Sequence, residues 1–233
     1  MLQAGQRAVV TGASSGLGRA LALGLARRGL VIHAFGRRSA ELSALAAEAG
    51  PQLLPTAVDL LDEPQARAAC AAIPGPIDLL VHGAGMVELG KVAEAPIGDL
   101  DAQYQLNLRA PFWLTQLFLP QLIARQGQVV FLNSGAGLTA RGGWSQYAMT
   151  KFGLKALADA LREEVKPLGV RVMSVYPGRA ATPMQERVRR LEGQPYRAED
   201  YLQPDDVSHL VIEALALPRT ADVIDLNIRP GRA

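Results

Sequence analysis

The stretch "RAVVTGASSGLGRALALGLARR", Arg7 to Arg28, decides the fold. It opens on a short apolar run, passes through a glycine-rich turn and continues as an Ala/Leu-rich segment of helical character. Glycines at 12, 16 and 18 let the backbone turn tightly and approach a ligand closely. The amides and dipole at the start of the following helix favour a diphosphate there. The spacing differs from the common G-x-G-x-x-G, and the alternative is an ordinary turn between strand and helix. Working outward, the same alternation repeats. "RAVVT", "LVIHAF", "QLLPTAV", "IDLLVH", "QVVFLN", "VRVMSVY" and "DVIDLNI" read as seven strands with helices between them. Such βαβ units imply an α/β protein: one doubly wound, Rossmann-type domain with a seven-stranded parallel sheet and helices on both faces.

The totals agree with a single domain over residues 1–233. Apolar residues make up 49% of the 233 and aromatic residues 5%, so Ala, Leu and Val must build the core. A net charge of +2, with basic residues spread along the chain, points away from nucleic acid and from membrane surfaces and towards a small molecule. Cys70 is the sole cysteine and the three histidines are scattered, which leaves no metal-ligand spacing; no metal is expected. Without a long apolar segment for a signal or a span, a cytoplasmic location is expected. The least regular region, Arg179 to Gln203, is expected to be a substrate-binding loop.

"YAMTK" places Tyr147 and Lys151 four residues apart, on one face of a helix. Taken together with the glycine turn, Thr-Gly-x-x-x-Gly-x-Gly, it resembles the short-chain dehydrogenase/reductase family over nearly the whole chain. "LNL" at Leu106 to Leu108, "FLNSGAG" and "YPGRAATPM" are similar to further family segments. The resemblance implies a catalytic set of Asn107, Ser134, Tyr147 and Lys151. It also implies cofactor contacts from Gly12, Ser14, Ser15, Gly16, Leu17, Gly18, Asp59, Leu60, Ala84, Gly85, Tyr147, Lys151, Pro177, Gly178 and Thr182. One departure is "HGAG" at His82 to Gly85, where the family usually has Asn-Asn-Ala-Gly. His82 is read as a structural residue at a strand end.

At the end of the second strand, "AFGRR" lacks the acidic residue that would accept a ribose hydroxyl and repel a 2′-phosphate. Arg37 and Arg38 instead offer guanidinium forks to that phosphate, so NADP(H) is the expected cofactor. The alternative is two solvated arginines opening the next helix. Asp59 could likewise cap the helix beginning near "DEPQ".

The chemistry expected is interconversion of a carbonyl and an alcohol on a small molecule. Tyr147 would exchange the proton, Lys151 would favour the phenolate by its charge, and Ser134 would polarise the substrate oxygen. No G-x-S-x-G elbow surrounds Ser134, which argues against a serine hydrolase. A second reading is an NADP(H)-binding redox sensor or regulator with little turnover. Leu138, Trp144 and Met184 are apolar candidates for the substrate pocket, with Arg141 and Arg179 as candidate anion contacts. The tail "LPRTADVIDLNIRP" is more similar to family members acting on small hydroxy- or keto-compounds than to fatty-acid ketoacyl reductases. The resemblance further implies a homodimer or homotetramer paired through helices near Asp99–Arg125 and Trp144–Lys166. Pro111, four residues after Asn107, is expected to bend its helix and free the Asn107 carbonyl.

Overall fold

The computed structural model describes residues 2–231, so residues 1, 232 and 233 of the expected domain lie outside the described part. All seven expected strands form. They are β1 (Arg7–Thr11), β2 (Val31–Gly36), β3 (Leu53–Ala57), β4 (Leu79–His82), β5 (Gln128–Leu132), β6 (Arg171–Pro177) and β7 (Asp225–Ile228). They make one sheet in the order β3-β2-β1-β4-β5-β6-β7, with every pair parallel.

Strand alternation sorts the core into two layers. Ala8, Val10, Ile32, Ala34, Val130 and Val175 point to one face. That face is covered by α1 (Gly16–Arg27), α2 (Ser39–Ala49) and α8 (Pro204–Ala216). Val9, Phe35, Leu80, Phe131 and Val172 point to the other. There α3 (Glu63–Ala71), α5 (Ala110–Ala124) and α6 (Ser145–Val165) supply Cys70, Trp113, Phe118, Leu154 and Leu161. Burial of Cys70 pushes its thiol up to about 12, as suits a packing residue. The inner strands, buried on both faces, are largely apolar and stand out in the sequence, while β3 and β7 at the edges are partly exposed.

The backbone before Pro111 takes a specific form. Between α4 (Ile97–Tyr104) and α5 the chain makes a π-helical turn over Gln105–Arg109, in which the Ala110 amide bonds the carbonyl of Gln105. A residue without an amide hydrogen follows directly, so the wider turn accommodates the ring without breaking the rod.

The region from Arg179 to Gln203 differs from the expected loop. It contains α7 (Pro183–Leu191), a 3₁₀ turn over Ala198–Asp200 and a bridge between Ala180 and Leu202. Thr182 caps α7 by accepting from the Gln185 amide at 3.2 Å, with Pro183 at the first helical position. Thr-Pro-x-Gln is a capping signature, and α7 reads as a polar, irregular stretch because most of its residues are charged or polar.

Candidate active site

The sheet order reverses direction between β1 and β4, and the crevice beyond their carboxyl ends is where α/β sheets take ligands. A cleft of about 600 Å³ opens there. Its floor is a crossing of backbones. A side chain at Gly12 would have its Cβ 2.5 Å from the Gly83 carbonyl oxygen, and one at Gly83 would lie 2.6 Å from that of Thr11. Gly83, where the family pattern has Asn, is therefore required by close approach. The turn after β4 is held by Thr11, whose hydroxyl accepts from the amides of Gly83 at 3.0 Å and Ala84 at 3.2 Å. It donates to the Val81 carbonyl at 3.2 Å.

Along the cleft lie Ser14, Ser15, Gly16, Leu17 and Gly18 at the start of α1. Ser15 occupies the cap position without a side-chain bond to the helix, and no acidic residue stands in the first turn. The free amides and dipole there suit an anion. Arg37 and Arg38 line the same cleft, and the two differ. Arg38 is engaged: it donates to the Ser14 carbonyl at 3.0 Å and pairs with Glu41 at 3.1 Å. Arg37 is exposed and has no side-chain partner among the described residues. Asp59 and Leu60 also line the cleft. Asp59 accepts from the Leu61 amide at 3.0 Å, whereas the cap of α3 is Asp62. These features fit a dinucleotide.

At the far end stand Tyr147 and Lys151, both buried on α6, with Ala84, Gly85 and Thr182. The Lys151 ammonium lies 5.7 Å from the centre of the Tyr147 ring and donates to the Leu132 carbonyl at 3.0 Å. Burial pushes the Tyr147 phenol up to about 12, opposed by a hydrogen bond with Ser134, and pulls Lys151 down to about 8. Desolvation is the largest influence on both groups. Ser134 lies just behind the cleft lining, where its oxygen accepts from the Ala136 amide at 3.1 Å and caps a 3₁₀ turn.

Asn107 is fully buried and grips the segment after β4. Its carboxamide donates to the Met86 carbonyl at 2.9 Å and accepts from the Met86 amide at 2.8 Å, with a further bond to Thr150 at 3.1 Å. Pro177 and Gly178 stand at the end of β6 outside the lining, Gly178 packed close to Pro230. His82 stacks on Phe131, 4.8 Å between ring centres, and its Nε2 meets the Thr115 hydroxyl at 2.9 Å. Complete burial holds it down to about 3, a neutral structural residue as expected.

Of the apolar candidates, Trp144 and Met184 pack around Tyr147 with Val87 and Val188. Leu138 is not part of that cluster. Arg179 is occupied by Glu192, and Arg141 is exposed. Asn133 was not anticipated. It donates to the Lys151 carbonyl at 3.1 Å and accepts from the Ser134 amide at 2.9 Å, tying β5 to α6. Glu88 and Arg187 form an ion pair at the cleft, also unforeseen because 99 residues separate them.

A crevice of this shape on a parallel sheet, holding a phenol, an ammonium and a helix-terminus anion site, defines a dinucleotide-dependent oxidoreductase. Residues 6–193 match the family model "short chain dehydrogenase", and the chain belongs to that family. It is 35% identical, over 96% of its length and 90% of the other's, to an uncharacterised short-chain type dehydrogenase/reductase of Sinorhizobium fredii. A serine 3-dehydrogenase of Agrobacterium fabrum is 32% identical over 95% of this chain and 92% of its own. Among solved structures, actinorhodin polyketide ketoreductase with NADPH superposes with a TM-score of 0.89 at 28% identity, over 97% of both chains. The chain is thus an oxidoreductase of the alcohol and carbonyl class. Among the described residues, no helix is long and apolar enough to cross a membrane, and no cluster of metal-binding side chains occurs.

Proposed function

We propose that the protein is an NADP(H)-dependent oxidoreductase that interconverts a carbonyl and an alcohol on a small hydroxy- or oxo-compound through Asn107, Ser134, Tyr147 and Lys151. The observation carrying this reading is the burial of Tyr147 and Lys151 in the cleft that also holds the glycine turn and Arg37. NADPH, when bound, supplies the hydride. Arg37 and Arg38 favour its 2′-phosphate, the free amides at the start of α1 take the diphosphate, and Thr182 closes over them from α7.

The protein's residues then handle the oxygen and its proton. Ser134 donates to the substrate oxygen and stabilises charge developing on it, while Tyr147, which holds its proton firmly, releases it to that oxygen. Lys151 lies against the phenol and is available to a ribose hydroxyl. Asn107 positions the backbone of Met86, and its carbonyl, next to Pro111, is proposed to hold a water that resupplies protons through Lys151. The segment 179–203 covers the substrate. Its helix α7 brings Met184 and Val188 towards Tyr147, giving a small apolar pocket beside the Glu88–Arg187 pair. Relatives named serine 3-dehydrogenase support a compact polar substrate.

The test is NADPH oxidation with a panel of small aldehydes, keto acids and keto alcohols, with the reverse reaction on hydroxy-compounds. Turnover that prefers NADPH to NADH is expected. Tight NADPH binding with no turnover of any panel member would favour a sensor instead.

A further inference from the structure

Arg179 leaves the sheet directly after Gly178, and its guanidinium is fixed by a two-pronged pair with Glu192, the residue ending α7. The two contacts measure 2.8 and 2.6 Å, and Glu192 takes a third bond from Arg189 at 3.1 Å. A planar fork on a carboxylate holds orientation as well as distance. The guanidinium so fixed lies over the Trp144 ring, 6.0 Å from its centre. Trp144 in turn sets its ring edgewise to Tyr147, with centres 6.1 Å apart and planes at 67°. Tyr147 is enclosed further by Val87 and Val188. A chain of contacts therefore runs from the end of α7, through Arg179 and Trp144, to the phenol.

We propose that Trp144 is a positioning residue for Tyr147, and that Arg179, held by Glu192, seats Trp144 so that the phenol is oriented and shielded from water while α7 is folded over the cleft. The inference rests on Tyr147 being the proton donor. It gives Arg179 a task other than the anion contact its charge suggests, since both arms of its fork are already taken by a carboxylate. It also explains why a tryptophan stands three residues before the tyrosine. Its edge packs against the phenol ring and restricts the torsion that aims the hydroxyl. An error of about 1 Å in placing a reacting group is enough to cost roughly a hundredfold in rate.

The experiment compares Trp144→Ala, Trp144→Phe, Arg179→Gln and Glu192→Gln with Tyr147→Phe, and with Arg28→Ala, which breaks a surface ion pair with Glu213 on the other side of the sheet. Expected for Trp144→Ala and Arg179→Gln is a fall in kcat of roughly tenfold to a hundredfold with little change in KM for NADPH. In the alcohol-oxidising direction the rise of kcat with pH should begin at lower pH, because water reaching the phenol relieves the burial that raises it. Trp144→Phe should restore most of the rate. In a Trp113→Phe background, Trp144 emission should shift on losing Arg179, a readout independent of turnover. A Tyr147→Phe enzyme as active as the parent overturns the tyrosine assignment itself. An inactive Tyr147→Phe, together with Trp144 and Arg179 variants that keep the rate and pH profile of Arg28→Ala, overturns the positioning role alone. So does a rise in substrate KM with kcat unchanged. If Trp144→Ala fails to fold, Arg179→Gln and Glu192→Gln carry the same comparison, with the same fall in kcat expected of both.

Discussion

Tyr147 and Lys151 answer to opposite consequences of one burial. The phenol keeps its proton more firmly than a free tyrosine, and the amine gives its proton up more readily than a free lysine. Removing the phenolic hydroxyl with Tyr147→Phe deletes the transferred proton and little contact surface. Turnover should fall by about 10²–10⁴-fold while NADPH binding, followed by nucleotide fluorescence, is largely retained. Lys151 makes a separate prediction about stability. Its folded pKa of about 8 lies below the ordinary 10.5, so the unfolded chain binds the proton more tightly between these values. Stability is therefore full above the upper value and is lost as pH falls through about 8. The charged form is penalised by about 3 kcal/mol. In the cofactor-free protein the parent should gain thermal stability between pH 7 and 9.5 relative to Lys151→Met, and parallel melting curves would refute this. His82, neutral throughout the accessible range, should contribute to neither effect.

At the level of elements, the strand ends carry the selectivity. Arg37 follows β2 with its guanidinium free, while Arg38 is tied to Ser14 and Glu41. Arg37→Ala should accordingly weaken NADPH much more than NADH in binding titrations, by roughly tenfold to a hundredfold. Equal losses for both would make Arg37 structural. Converting Gly36 to Asp should favour NADH, but a Cβ there would meet the Ser14 side chain at 3.2 Å, so the exchange is best read alongside Ser14→Gly. The strands were legible in sequence because parallel strands covered on both faces are continuous apolar runs, and the catalytic pair was legible because one helical turn joins it. Contacts across long separations were not. Asn107 reads as a member of an active site by resemblance, yet nothing in "LNL" tells that its carboxamide clasps Met86. Likewise, the bonds from Thr11 to the backbone of Val81, Gly83 and Ala84 depend on a crossing of backbones that sequence spacing does not encode. The helix α7 is less legible because its outward face is charged and few of its residues are apolar.

For the whole molecule, α4, α5 and α6 leave an unusual set of large apolar side chains open. Tyr104, Phe112, Met149 and Phe152 are all exposed, while the opposite sides of α5 and α6 fill the core. A homodimer or larger assembly through this surface is the expected state in solution, to be read by light scattering at micromolar concentration. Phe112→Glu with Phe152→Glu should shift the mass towards the monomer. A parent protein that is monomeric under the same conditions would exclude the assembly.

The central position of β1 also governs how the chain is made. Its Arg7 amide bonds Asp78, 71 residues further on, and β4 follows at once to cover that edge. At a synthesis rate of about 5–20 residues per second, those residues take roughly 4–14 s to appear. Throughout that interval the strand bearing the phosphate turn can pair only with β2 on its other side. Its open edge must be kept from other nascent chains until the second half of the sheet emerges, so slowing translation within residues 60–77 should lower the soluble yield without altering the finished enzyme.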